Sequence, residues 1–182
     1  MVNLILIWFS LALSALAGAP FDLKGQDLFS DRSVQVNAAM ARPAVVVFVS
    51  ARCPCSGSHE STLKQLAAEF QDFDFIAVHA NADETPEEVK NHFKNVAFAF
   101  PLIEDVDGQW AQKLQALKTP HAFVVDRRGQ LVFSGGVTDS SQASTADVPY
   151  LKNALNEYRA SGKVKQARQR ALGCAIKRRT KS

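Results

Sequence analysis

The sequence predicts an α/β fold: a mixed β-sheet with helices on both faces. Three observations predict it. "PAVVVFVS" (43–50) is a continuous β-branched and aromatic run, as expected of a central strand buried on both faces. Strand-like and helix-periodic segments alternate after it. Near the end, two strand-like runs flank the turn Asp126-Arg127-Arg128-Gly129, which makes a hairpin.

At the N-terminus, residues 4–16 are almost continuously apolar, and Ala15-Leu16-Ala17 is a small-x-small cleavage pattern. Residues 1–19 read as a secretory signal peptide cut after Ala17. The stretch is short for a membrane span, so no stable membrane insertion is expected after cleavage. No cysteine follows the small residues, which argues against a lipid anchor. The expected location is exported, periplasmic or extracytoplasmic, where disulfides persist.

After the central strand, Leu63, Leu66, Ala67 and Phe70 recur at helical spacing, so residues 58–70 read as a helix. "FDFIAVHA" (73–80) is a second buried strand. "TPEEVKNHF" opens a helix with Thr85 as N-cap, Pro86 at the first helical position and acids in the first turn. Asp83 and the glutamates 84–88 read as a cap and a solvated helix face. "FPLIED" is a short extended segment and "QWAQKLQAL" a short helix. "HAFVVD" and "QLVFSGG" are the hairpin strands, and "VPYLKNALNEYRA" is a closing helix. With 182 residues, 47% of them hydrophobic, the chain reads as a domain over 20–160 with one core.

Residues 161–182 form a basic C-terminal tail. From Lys163 onward there are eight basic residues and no acidic one. Taking those eight from the chain's 21 leaves 13 basic against 18 acidic residues elsewhere. Such a tail can meet anionic partners, or form a solvated, partly disordered end, the reading favoured for an exported chain. It lacks the interleaved aromatics of a nucleic-acid stacking surface, so no nucleic-acid partner is expected. Within it, "ALGCAIK" is an apolar island that should dock on the body.

Two of the three cysteines stand in "SARCPCSGSHE". Cys53 falls just past the end of the central strand and before a helix. A helix N-terminus presents unpaired N–H groups and a positive dipole end, which favour a thiolate, and the adjacent Arg52 adds positive charge. Three routes could resolve an oxidised Cys53: a bond to Cys55, a bond to Cys174, or a bond to a partner's thiol. The Cys53–Cys55 ring would be tight. A Cys55–Cys174 disulfide with Cys53 free fits the count equally well.

A strand, then Cys-Pro-x-Ser opening a helix, then Thr-Pro before a strand-turn-strand, resembles the thioredoxin fold, a three-layer sandwich. "VVVFVSARCPCSGSHESTLKQLAAEF", "FIAVHANADETPEEVKNHF", "FPLIEDVDGQWAQKL" and "TPHAFVVDRRGQLVFSGGVTD" are similar to the exported redoxins related to alkyl hydroperoxide reductase and the TlpA-type thiol oxidoreductases. The resemblance implies a thiol-disulfide oxidoreductase with Cys53 as nucleophile, resolved by Cys55 or Cys174. It implies no cofactor. Its expected partners are protein thiols or disulfides and an upstream thiol redox partner. It implies a cis Thr119-Pro120 bond facing the cysteine, with Pro120 shaping a substrate groove, Thr119 offering backbone groups to it, and Pro54 and Ser56 belonging to the motif. Ser56 stands where a Cys-x-x-Cys site would carry its second cysteine. Peroxiredoxins place Thr or Ser three residues before the reactive Cys, as Ser50 does here, and a Pro four residues earlier, where this chain has Val46.

His59 lies one helical turn after Cys55, and His121 directly follows the expected cis-proline. With Cys53 and Cys55 they make a soft-donor set suited to copper(I) or zinc. The alternative expectations are therefore a thiol peroxidase and a copper-binding chaperone. His79 and His92 carry no assigned role.

Overall fold

The computed structural model describes residues 19–178. The expected signal peptide (1–19) therefore lies outside the described residues apart from Ala19, as do Arg179 and Lys181 of the tail. The described chain opens with an antiparallel hairpin, β1 (Leu23–Gln26) and β2 (Ser33–Val36). Each strand has only four residues, too short for its alternation to stand out in the sequence.

The central sheet has five strands. β3 (Ala44–Val49) is its middle, with β4 (Asp74–His79) parallel on one side and β5 (Leu102–Glu104) parallel beyond it. On the other side lie β7 (His121–Val125) and β8 (Leu131–Gly135), both antiparallel to their neighbours. The spatial order is β5-β4-β3-β7-β8. β6 (Lys118–Thr119) stands apart, just before the cis Thr119-Pro120 bond.

Alternation along β3 divides the core. Val45, Val47 and Val49 face α1 (Pro54–Glu69), α2 (Pro86–Val96) and α4 (Tyr150–Ser161), through Leu63, Leu66, Val89, Phe93, Leu151 and Leu155. Val46 and Phe48 face Trp110, Ala111 and Leu114 of α3 (Gln109–Leu114) together with Leu23, Val34 and Val36 of the hairpin. Helices therefore cover both faces of a mixed sheet, as expected, and the β1–β2 hairpin shares the second face with α3.

Two helix boundaries differ from the sequence reading. α1 begins at Pro54, a turn earlier than residue 58. A proline fits the first helical position because the N–H it lacks would have no intrahelical partner. α3 stops at Leu114, because Gln115 turns left-handed at φ 56°. Thr85 caps α2 as expected, in a reciprocal capping box with Glu88.

The tail is not a solvated appendage up to Arg178. It returns from α4, crosses the end of β8 through a parallel bridge at Ser134 and Arg168, and adds a strand, β9 (Cys174–Ala175), antiparallel to β6. Ile176 packs on the second core. Among the described residues, no helix is long and apolar enough to cross a membrane.

Candidate active site

Cys53 occupies the N-cap of α1, and Gly57 donates its N–H to the Cys53 carbonyl at 3.0 Å. The residue is buried at 5% exposure. Its Sγ lies 3.1 Å from the carbonyl oxygen of Thr119, so the Cys53 turn and the cis-proline loop face each other. Cys174 completes the group. β9 sets Thr119 opposite Cys174, and Cys53 and Cys174 form a disulfide with Cα atoms 6.0 Å apart and a sequence separation of 121. Cys55 is a free, half-buried thiol. The three sulfurs lie within 4.8 Å of one another.

The Cys53 turn is braced from below. Ser50 Oγ accepts from Cys53 N–H at 3.0 Å, and Ser56 Oγ accepts from Ser50 N–H at 3.1 Å. Ser50 then donates its hydroxyl proton to Glu84. Glu84 is not part of a solvated face: its side chain is 2% exposed. Its carboxylate also accepts from Ala51 N–H at 2.8 Å, Asn81 Nδ2 at 3.0 Å and His79 Nε2 at 3.1 Å. Burial alone would raise its pKa. The bonds from His79, Ser50 and Ala51 outweigh burial and hold it at about 2. Asn81 extends this network to the tail, because its Oδ1 accepts from Lys177 N–H at 2.9 Å.

Sequence reasoning missed Glu84, His79 and Asn81. The signal available was weak: an acid and an amide just outside a helix cap, beside a strand-end histidine.

Arg52 is placed differently from its expected role. Its guanidinium reaches α2, donating to both Glu88 oxygens and to the Asp83 carbonyl. The bond to Glu88 raises the Arg52 pKa and draws the Glu88 carboxyl down to about 2. This pairing balances the charge that the sequence assigned to the Cys53 field.

Neither histidine of the expected metal set joins the sulfurs. His59 is buried, with Nδ1 on the Cys55 carbonyl at 2.8 Å and Nε2 on Thr138 Oγ1 at 2.9 Å. Burial lowers its pKa, against the opposing pull of the Cys55 carbonyl. His121 accepts from Leu117 N–H at Nδ1, 3.4 Å, and meets Ser134 Oγ at Nε2, 3.2 Å. Burial pushes its pKa down to about 4. The set that the fold gathers is Cys53, Cys55 and Cys174, a soft trio of donors in place of the mixed one. Pro54 is exposed at the mouth of the turn. Thr119 Oγ1 is buried without a hydrogen-bond partner among the described residues.

None of the curated proteins matches the chain. Among solved structures, an uncharacterized conserved protein from Geobacillus kaustophilus superposes with a TM-score of 0.78 at 20% identity, covering 94% of this chain and 96% of that one. A hypothetical protein from Sinorhizobium meliloti 1021 superposes with a TM-score of 0.78 at 24% identity, over 92% and 97%. A secreted Mycobacterium tuberculosis disulfide oxidoreductase, described as homologous to E. coli DsbE, matches at 0.51 and 18% identity, over 60% and 79%. These likenesses establish a thioredoxin-like fold. A family model described as the AhpC/TSA family matches residues 17–134, a stretch that includes Cys53 and Pro120 and ends before Cys174. The chain belongs to the AhpC/TSA family of redoxins.

Proposed function

We propose that the protein is an exported thiol-disulfide oxidoreductase in which Cys53 is the nucleophile and Cys174 the resolving thiol. The observation that carries this reading is the delivery of Cys174 to Cys53 by β9, beside the cis-proline loop. In the reducing direction, the Cys53 thiolate attacks a client disulfide and one client sulfur leaves as a thiolate. The Cys174 thiolate then attacks Cys53 Sγ and expels the second client sulfur. The client gains two electrons, and the protein keeps them no longer, ending as the Cys53–Cys174 disulfide. An upstream dithiol restores the two thiols. The oxidising direction is the reverse sequence. The dipole end of α1 favours the Cys53 thiolate in either direction.

The test is thiol-disulfide exchange by purified protein with a model protein disulfide. Cys53→Ser should abolish exchange, whereas Cys174→Ser should accumulate a mixed disulfide on Cys53. Unchanged turnover in Cys53→Ser would overturn the assignment. Peroxide offered in the same assay tests the peroxidase alternative, and cell fractionation tests export.

A second reading follows from the three sulfurs within 4.8 Å. Once reduced, they suit a soft ion such as copper(I) held by thiolates alone. Stoichiometric copper(I) binding by the reduced protein, without thiol exchange, would put this reading first.

A further inference from the structure

The tail reaches Cys53 along a path that glycines keep open. Ser134 N–H donates to the Ala167 carbonyl at 2.9 Å, and Gln169 N–H donates to the Ser134 carbonyl at 2.8 Å. A Cβ on Gly135 would stand 2.6 Å from Gln169 Cβ, and one on Gly136 would stand 3.1 Å from the Arg170 carbonyl oxygen. The segment then pairs with Thr119 through Cys174, and Ile176 N–H donates to the Leu117 carbonyl at 3.0 Å. Lys177 fastens the end, accepting from Ala82 N–H at 2.7 Å.

Gly173 is the tightest point of the path. A Cβ there would overlap the Thr119 carbonyl oxygen and lie 2.8 Å from the Thr119 carbonyl carbon. Both are backbone atoms, anchored between β9 and the Cys53 turn, so they cannot swing aside as a flexible side chain would. An extended segment paired with the residue before Pro120, its sulfur bonded to Cys53, is the arrangement that a client would have in a mixed disulfide.

Resting on the thiol-exchange reading, we infer that residues 172–176 occupy the client groove as a tethered substrate mimic, and that the groove selects extended peptides with glycine directly before the reactive cysteine. In the oxidised protein the tail therefore fills the groove, and a client thiol must displace it to reach the Cys53–Cys174 bond. Reducing that bond opens the groove, and the returning tail competes with the client.

The test uses the chain carrying Cys55→Ser and Cys174→Ser, so that Cys53 is the only thiol. Two peptides are offered as 2-thiopyridyl disulfides: Arg-Ala-Leu-Gly-Cys-Ala-Ile-Lys, and the same peptide with alanine for glycine. Cys53 attacks the peptide sulfur, a mixed disulfide forms, and the thiopyridine leaves with the electron pair. Both rates are normalised to reaction with free glutathione, and 2,2′-dithiodipyridine serves as a small control. The glycine peptide should react faster by about tenfold or more, because the backbone clash acts against alanine alone. Both peptides meet the same protein, so a folding defect cancels from the ratio. Equal rates, with the small control reactive, would overturn the groove's selectivity and leave thiol exchange standing. An unreactive Cys53 toward all three reagents would overturn both. In the otherwise unaltered chain, Gly173→Ala should hold less Cys53–Cys174 disulfide at a fixed glutathione poise, and an unchanged share would count against the inference.

Discussion

Glu84 is the residue that joins the site to the rest of the molecule. It takes the Ser50 hydroxyl, the Ala51 N–H, Asn81 and His79 at once, and Ser50 in turn holds the Cys53 N–H. The sequence hid this, because "ADETPEEV" is a run of acids ahead of a capped helix and reads as solvated. Only the tertiary path of the loop turns Glu84 inward while Glu88 stays at the surface. Its pKa of about 2 lies below the ordinary 4.5, so its contribution to stability is complete above pH 4.5 and is lost as pH falls toward 2. Glu84→Gln should therefore flatten the loss of stability between those values, measured by denaturant midpoints across acid pH. An acid limb identical to the parent's would contradict the role given to Glu84. Arg52 supplies the opposite lesson. Position beside Cys53 suggested a charge acting on the thiol, but the guanidinium is paired with Glu88 in an exposed contact. Such an exposed pair is screened by solvent and contributes little. Arg52→Ala should leave the alkylation rate of reduced Cys53 within about threefold, on the scale of that small term. A loss of tenfold or more would restore Arg52 to the thiolate field.

At the scale of elements, most of the frame was legible. β3 is a continuous apolar run, α2 carries its cap and its proline, and the β7–β8 hairpin has its turn residues. Local chemistry specifies each of these. The β1–β2 hairpin and the β6–β9 pair were not legible, because two to four residues carry no period and their partners lie elsewhere in the chain. The apolar island "ALGCAIK" did signal that the tail docks, but not where. Its seat depends on Gly135, Gly136 and Gly173, whose missing side chains become meaningful only once two segments meet. The disulfide, the β6–β9 pairing and backbone hydrogen bonds at Ser134, Leu117 and Ala82 hold this segment. Losing the covalent one should loosen it. Limited proteolysis should cut between Lys163 and Lys177 faster in reductant than in oxidant, read by mass spectrometry. Equal cutting in both states would mean that the tail is held by its contacts alone.

For the whole molecule, the Cys53–Cys174 bond closes a loop across most of the domain. In the chain-entropy model, a loop of a hundred residues or more stabilises by about 5 kcal/mol. The same bond thus staples the fold and holds the proposed nucleophile in reserve, with Cys55 beside it as a third sulfur. The cysteine count in the sequence left three pairings open, since nothing local relates residue 174 to residue 53; the return of the tail decides among them. A redox titration in glutathione buffers with disulfide mapping at each point tests this account most directly. One two-electron transition is expected, in which Cys53 and Cys174 pair on oxidation and Cys55 remains a free thiol. Oxidised protein with Cys53 free and Cys55 bonded to Cys174 would contradict it.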